Sequence, residues 1–170
     1  LFPERQPQFS PFEIYGESVV MTTLAGDYFD FVDIDSDKLG IMIGDVAGHG
    51  ISAALIMAMA KAGVKMSGKE EILDPCRFTN ELHRIIFSLK SGRLKRMMTF
   101  QYLLLDKKSA AIKFTNAGHC YPLFIDHGLK QARYIEAPGL PLGVGKTPRY
   151  RQFSVELAPG QALILYTDGV

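Results

Sequence analysis

Three aspartates, each beside a glycine at the end of an apolar segment, are the residues of this chain best suited to chemistry. They are Asp27, Asp45 and Asp168. A carboxylate at the end of a buried strand is costly alone, because desolvation disfavours its charged form. Three converging carboxylates would repel one another unless a cation joined them, and hard oxygen ligands suit Mg²⁺ or Mn²⁺. We therefore predict a metal site here, against the alternative that each Asp-Gly pair only forms a turn.

The middle aspartate opens a glycine-rich turn, Gly-Asp-Val-Ala-Gly-His-Gly at 44–50, which leads directly into an apolar segment. Its glycines allow positive φ and a close approach of the backbone. Such a turn can present the Val46 carbonyl to a metal, or backbone N–H groups to phosphate oxygens at a helix start. His49 and His119 each follow a glycine, and for each of them a role in a turn is the simpler interpretation.

Several other kinds of site have no support in the sequence. The turn at 44–50 lacks the lysine and the spacing of a Walker A loop, and no Gly-x-Ser-x-Gly elbow is present. Cys76 and Cys120 have neither zinc-type spacing nor the pattern of a disulfide framework, which fits a reducing compartment. The net charge is +1, so no global field favours nucleic acid, and the basic stretch at 90–96 is expected to be a solvated loop.

The elements that must position these residues follow from the hydrophobic pattern. Residues 51–66 are apolar nearly all round and predict a buried helix, while 75–89 predict an amphipathic helix that Asp74 caps before Pro75. Strands are predicted at 12–21, 28–34, 39–46, 97–105, 111–116, 123–126, 133–136, 151–157 and 162–167. Strands, then paired helices, then many short strands indicate an α+β fold with segregated layers.

The length of 170 residues, with 47% hydrophobic and 22% charged residues, fits one globular domain. Residues 1–11 contain three prolines and are interpreted as an extended lead-in from an upstream linker, followed by the domain at 12–170. Because the sequence stops just after Thr-Asp-Gly, we expect this domain to continue beyond Val170. The most apolar run has ten residues, too few to span a bilayer, so we expect a cytoplasmic location, alone or as part of a larger or anchored protein.

Five motifs in order resemble the SpoIIE/RsbU-type branch of the metal-dependent (PPM, type 2C) serine/threonine protein phosphatases. They are Gly-Asp-Tyr-Phe-Asp-Phe (26–31), Gly-Asp-Val-Ala-Gly-His-Gly (44–50), Asn-Ala-Gly-His (116–119), Gly-Leu-Pro-Leu-Gly-Val (139–144) and Leu-Tyr-Thr-Asp-Gly-Val (165–170). The resemblance implies an αββα four-layer sandwich, in which two antiparallel sheets lie face to face, each covered by helices. It also implies two Mn²⁺ or Mg²⁺ ions at one edge of the sheets.

The resemblance assigns roles to the residues singled out above. Asp45 would bridge the two metals, the Val46 carbonyl and Asp27 would bind one of them, and Asp168 would bind the other. These ligands would carry catalysis through the bound ions and their water. The helices at 51–66 and 75–89 correspond to the elements that switch the metal site on in this branch.

The sequence departs from the family pattern at three points. Ala25 stands where the family usually has glycine, a small change that we expect to be tolerated. Ala47 stands where this branch often has serine and the wider family has a histidine proposed as general acid, and His49 is not assigned that role. The family's last metal-binding aspartate follows the Asp-Gly-Val turn, beyond residue 170, which leaves open whether the second metal site is complete.

The implied function is Mn- or Mg-dependent hydrolysis of phosphoserine in a protein. In this branch the usual substrate is a phosphorylated STAS-domain anti-anti-sigma factor, within a partner-switching pathway that regulates a sigma factor. An upstream sensory or regulatory domain is expected in the full-length protein, a homodimer is left open, and neither nucleic acid nor membrane insertion is expected. Two alternatives remain: a non-catalytic binding module with a degenerate phosphatase fold, and a metal-dependent hydrolase of small phosphates.

Overall fold

The computed structural model of the protein describes residues 2–3, 5–18, 26–48, 50–88 and 97–168. Within these ranges the chain forms eight strands and three helices. In chain order they are β1 (Asp27–Asp35), β2 (Lys38–Val46), α1 (Ile51–Met66), α2 (Lys69–Ile72), α3 (Pro75–Ser88), β3 (Met98–Asp106), β4 (Ala111–Ala117), β5 (Leu123–Asp126), β6 (Gln131–Tyr134), β7 (Phe153–Glu156) and β8 (Gln161–Ile164).

The strands form two antiparallel sheets. The larger has the order β1-β2-β3-β4-β7, and the smaller has the order β6-β5-β8. Most neighbours in the larger sheet follow one another in the chain, since β1–β2 and β3–β4 are hairpins. The first hairpin turns through Ser36 and Asp37, and the Asp37 amide donates to the Asp35 carboxylate at 3.0 Å. In the smaller sheet the last strand, β8, pairs with β5.

Helices α1 and α3 cover one face of the larger sheet. Because side chains alternate along a strand, every second residue of β1, β2 and β3 points toward these helices. Gly63 of α1 allows close packing on α3, because a Cβ at this position would lie 3.1 Å from both Leu82 and Ile85. The core between the helices and the sheet contains Tyr28, Met42, Val46, Ala53, Ile56, Met57, Ala60, Val64, Phe78, Leu82, Ile86, Met98, Phe100 and Tyr102.

The other face of the larger sheet packs against the smaller sheet. The buried side chains of this second core come from the alternate positions of β2, β3 and β4, with contributions from the smaller sheet and its flanks. They include Leu39, Leu103, Leu105, Ile112 and Phe114, with Ile41, Phe31, Leu163 and Leu165 partly buried against them. The described residues therefore form three layers: the helices, the larger sheet and the smaller sheet. Residues of the inter-sheet face near the strand ends lie at the edge of this sandwich.

The predicted helices and most strands are confirmed. Helix α1 has the predicted bounds, and α3 covers the predicted segment from Pro75 to Ser88, residue 89 being outside the described ranges. The Asp74 carboxylate accepts from the amides of Cys76 and Arg77 at 2.9 and 3.1 Å, which is the expected N-cap. The α+β class is confirmed, with both sheets antiparallel, and the helices described pack on the larger sheet.

Three local predictions were wrong. Residues 12–18 of the predicted strand 12–21 form no strand, because the Gln6 side-chain amide, not a neighbouring strand, bonds the Gly16 backbone. Strand β6 covers 131–134 instead of 133–136, since a turn through residues 127–130 sets Gln131 opposite Asp126. The short helix α2 was not predicted.

Within the described residues, no helix is both long enough and apolar enough to cross a membrane.

Candidate active site

Strand register sets two of the three predicted aspartates side by side. Asp27 of β1 lies directly opposite Asp45 of β2, and Asp45 in turn lies opposite Thr99 of β3. Residues paired in this way share one face of a sheet, and this face is the one toward the smaller sheet. The three residues thus form a row across neighbouring strands at one edge of the sandwich.

The third aspartate reaches this row from the other sheet. Asp168 follows β8, is exposed, and lies close enough for its charge to act on Asp45. Burial, followed by the charges of Asp27 and Asp168, raises the pKa of the half-buried Asp45 carboxyl to about 6. A bond with the Val46 backbone opposes the shift only in part. The structure therefore brings all three predicted carboxylates together, in the mutually repulsive arrangement that the sequence suggested.

Two oxygens converge beside Gly26. A Cβ built on this glycine would lie 2.7 Å from Oδ1 of Asp45 and 2.8 Å from the Val46 carbonyl oxygen. The Val46 amide donates to the Gly26 carbonyl at 3.1 Å, which fixes the two backbones against each other. A side chain at Gly26 would fill the space beside Asp45 Oδ1 and the Val46 carbonyl oxygen. The glycine therefore keeps that space open for the two oxygens that are predicted to bind metal. The side chain of Val46 is buried on the opposite face, in the helix-packed core.

Thr99 holds the backbone of Asp45. The Asp45 amide donates to Thr99 Oγ1 at 3.2 Å, and the same hydroxyl lies 3.3 Å from the Asp45 carbonyl oxygen. Thr99 Oγ1 also lies 2.8 Å from Nδ1 of His119. The hydroxyl thus connects the central carboxylate residue to a buried histidine in the Asn-Ala-Gly-His motif.

His119 is fixed by its own motif. Its amide donates to Oδ1 of Asn116 at 2.7 Å, and Nδ2 of Asn116 donates to the His119 carbonyl at 2.9 Å. Burial lowers the pKa of the His119 ring to about 4, although the Tyr166 backbone and the Asp168 charge act to raise it. The ring is therefore neutral around pH 7. Next to it, Cys120 lies near both Asp168 and Asp45, and burial followed by these charges raises the pKa of its thiol.

The residues present fit a hard divalent cation by their chemistry. The donors are three carboxylates and one backbone carbonyl, all oxygen, which suits Mg²⁺ or Mn²⁺. Within the described ranges, no group of three or more His, Cys, Asp or Glu side chains already has the spacing of a closed metal site.

Sequence reasoning found the carboxylates and missed their support. Thr99 stood inside a predicted strand with no motif around it, and His119 was interpreted as a turn residue, although its quoted motif was a signal for a special role. His49 and the basic stretch at 90–96 lie outside the described residues, so what was predicted for them stays a prediction.

Comparison with known proteins gives a consistent family. A family model described as Stage II sporulation protein E (SpoIIE) matches residues 35–170. The phosphoserine phosphatase RsbU of Bacillus subtilis (strain 168) is 30% identical over 170 residues, which cover 100% of this chain and 50% of that protein. The chain therefore spans about half the length of this relative.

Solved structures agree in fold. The RsbU and RsbW domains of Rv1364c from Mycobacterium tuberculosis match with a TM-score of 0.72 at 29% identity, covering 89% of this chain and 41% of that one. The SiaA-PP2C domain of Pseudomonas aeruginosa matches with a TM-score of 0.71 at 25% identity, covering 86% of this chain and 56% of that one.

Proposed function

Because the chain belongs to the SpoIIE family and has the fold of a PP2C-type phosphatase domain, we propose that it hydrolyses phosphoserine in a protein substrate with the help of Mn²⁺ or Mg²⁺. The observation that carries the proposal is the convergence of Asp27, Asp45 and Asp168, where burial and then the charges of the other two aspartates raise the pKa of Asp45 to about 6. A folded chain that keeps three repelling carboxylates at one edge has a use for a cation there.

The site residues divide between two ions in this proposal. Asp45 would be a ligand of both, Asp27 and the Val46 carbonyl would complete the protein ligands of one, and Asp168 would bind the other. A pair of such ions supplies an activated water and neutralises charge on the phosphoryl oxygens during an in-line displacement. The family's further aspartate, expected after the Asp-Gly-Val turn, would complete the second ion's ligands.

The chain's own residues act by holding these ligands in place. Gly26 leaves room for the oxygens of Asp45 and Val46, and Thr99 Oγ1 accepts a hydrogen bond from the Asp45 amide. Ala47 is exposed and carries no proton donor, while its amide donates to the Met97 carbonyl at 3.0 Å. With no side chain of the site assigned as general acid, the departing serine would take its proton from a water molecule.

We extend the proposal to regulation and partners. The substrate is a phosphorylated STAS-domain protein in a partner-switching pathway, and residues 1–11 lead in from an upstream sensory or regulatory domain to the phosphatase domain at 12–170, which lies in the cytoplasm. Helices α1 and α3 switch the metal site, since α1 starts five residues after Val46 and packs on α3. A homodimer is compatible with this scheme.

The test compares phosphate release by the wild-type chain and by Asp45→Asn, with Mn²⁺ or with EDTA. The substrates are p-nitrophenyl phosphate and a phosphoserine STAS protein. We expect Mn²⁺-dependent release that Asp45→Asn lowers by at least roughly 100-fold, because a metal ion contributes several kcal/mol of charge stabilisation. Asp33→Asn, the same change at an exposed position of β1, should retain the wild-type rate.

Each outcome separates the candidate functions. Preference for the phosphoprotein supports the protein phosphatase, and equal or better use of the small ester supports a hydrolase of small phosphates. Release that survives EDTA and Asp45→Asn contradicts the metal mechanism. If no substrate is turned over while the STAS protein still binds to both variants, the chain is a degenerate phosphatase-fold binding module.

A further inference from the structure

One buried side chain contacts both halves of the carboxylate cluster. The cluster draws Asp27 and Asp45 from the larger sheet and Asp168 from the segment after β8 in the smaller sheet. His119 is only 5% exposed and sits in the turn after β4, between these two sources. The ring contacts Thr99 of the larger sheet through Nδ1, and the backbone of Tyr166, in the segment after β8, also interacts with it.

On one side, the ring faces the larger sheet. Nδ1 lies 2.8 Å from Thr99 Oγ1, and that hydroxyl accepts from the Asp45 amide at 3.2 Å. Because a threonine hydroxyl has a single hydrogen, its shortest contact makes Nδ1 the natural acceptor of that hydrogen. The imidazole then carries its own hydrogen on Nε2. The Thr99 hydroxyl is thereby oriented with its lone pairs toward the Asp45 amide.

On the other side, the ring faces the smaller sheet. Nε2 is buried and has no hydrogen bond of ordinary length and angle within the described part of the chain. The Tyr166 backbone nevertheless interacts with this ring, and Tyr166 is two residues before Asp168. A buried N–H group that donates no hydrogen bond of ordinary geometry costs free energy. This cost favours small movements that bring the Tyr166 backbone closer to the ring.

The motif keeps the ring in this position. Asn116 bonds the His119 backbone at both its amide and its carbonyl, so the turn is closed on itself. Gly118 has φ +69 and packs against Pro141 of the Gly-Leu-Pro-Leu-Gly-Val motif. Leu142 of that motif exchanges two backbone hydrogen bonds with Met98, at 3.2 and 2.8 Å, next to Thr99. Both motifs therefore brace the residues around the ring.

We propose that His119 is a positioning residue that fixes the Asp45 side of the site, through Thr99, relative to the Asp168 side, through the Tyr166 backbone. The inference rests on the proposed function, in which these two aspartates share a metal ion. It gives the Asn-Ala-Gly-His motif a defined task that requires no contact between His119 and substrate. Outer partners of metal ligands typically affect metal affinity by about 10–100-fold.

Four variants separate the two contacts. Thr99→Val removes the hydroxyl at nearly constant volume, and Thr99→Ser keeps it. His119→Asn retains a polar atom near the Nδ1 position but is too short to reach the Tyr166 backbone, whereas His119→Ala removes both contacts. Tyr102→Phe is the control, because it removes a buried hydroxyl bond to the Ile72 carbonyl from the same strand, on the face away from the site.

Two readouts are compared. The first is Mn²⁺ affinity, measured by calorimetry on folded protein. The second is amide hydrogen exchange of residues 45 and 166–168 in EDTA, which requires no metal. We expect Thr99→Val and His119→Ala to weaken Mn²⁺ binding about 10–100-fold. They should also speed exchange of the Asp45 amide roughly tenfold, which is the loss of one hydrogen bond. Thr99→Ser and Tyr102→Phe should leave both readouts near wild type.

His119→Asn gives the decisive pattern, with faster exchange at 166–168, a protected Asp45 amide and weakened Mn²⁺ binding. Unchanged affinity and exchange in His119→Ala overturn the inference, and so does an equal loss in Tyr102→Phe, which would mark general destabilisation. If the wild type binds no Mn²⁺, the proposed function fails on its own account. The exchange data then decide alone whether His119 couples the two sides.

Discussion

At the scale of single residues, Asp45 is held in an environment that opposes its charge. Burial, Asp27 and Asp168 raise its pKa to about 6, against about 3.9 in an unfolded chain. The folded state therefore binds the proton more tightly. The contribution of Asp45 to stability is greatest below about pH 4 and is lost as the pH rises through 6. Such a cost is typical of residues kept for function.

A stability measurement checks this sign. In EDTA at pH 7.5, we expect Asp45→Asn to have a higher free energy of unfolding than wild type, by about 1 kcal/mol after allowance for solvent screening. The difference should shrink as the pH falls toward 4, where the wild-type carboxyl is protonated in the folded state and about half protonated in the unfolded state. Urea denaturation between pH 4 and 8 gives these values. A variant less stable than wild type at pH 7.5 would contradict the proposed repulsion, and Asp33→Asn should show no such pH trend.

At the scale of elements, α1 has two apolar faces with different roles. One face is buried against α3 and the larger sheet, while the opposite face exposes a stripe of apolar side chains. Ile51 is 74% exposed, Leu55 59% and Met66 85%. Only the buried face can hold the helix in this fold, so the exposed stripe is available for the switching role proposed for the helix.

Paired truncations distinguish the two faces. Ile56→Ala should lower the free energy of unfolding by about 2–4 kcal/mol, because Ile56 is 3% exposed and leaves a cavity. Leu55→Ala, one residue earlier, should change it by less than about 0.5 kcal/mol. Urea denaturation in EDTA measures both. A loss of similar size in the two variants would mean that the stripe is covered in the isolated chain.

The elements show how far sequence patterns reach. The bounds of α1 and the cap of α3 were predictable because periodicity and Asp74 are local signals. The alternation around Phe12 and Ile14 was equally clear, yet those side chains pack on the inter-sheet core without any strand partner. Whether an alternating segment pairs depends on a neighbour elsewhere in the chain, which a local pattern does not contain.

At the scale of the whole molecule, the site depends on contacts far apart in sequence. The three aspartates were predictable from residue type and flanking glycines. The register that sets Asp45 opposite Thr99, and the turn that brings His119 to that hydroxyl, depend on strand order. The carboxylates were therefore visible in the sequence, while the residues that support them required the fold.

The proposed division of ligands predicts unequal metal binding. Calorimetric titration of this 170-residue chain with Mn²⁺ at pH 7.5 should give one tight ion, held by Asp27, Asp45 and the Val46 carbonyl. A second ion should bind at least about tenfold more weakly, since Asp45 and Asp168 give it fewer protein ligands here. In a chain extended to include the expected downstream aspartate, the two Mn²⁺ affinities should be more similar. Two equal sites in the 170-residue chain would contradict this division.

The wide separation of the three aspartates in the sequence also determines when the cluster can be completed during synthesis. Asp27 and Asp168 are 141 positions apart. At about 5–20 residues per second, a ribosome takes roughly 7–28 s to add the second after the first. Throughout that interval the nascent chain has Asp27 and later Asp45, but no Asp168 and no completed β8. The edge that gathers all three carboxylates can form only as this stretch of the chain is finished, so the full cluster is completed late in synthesis.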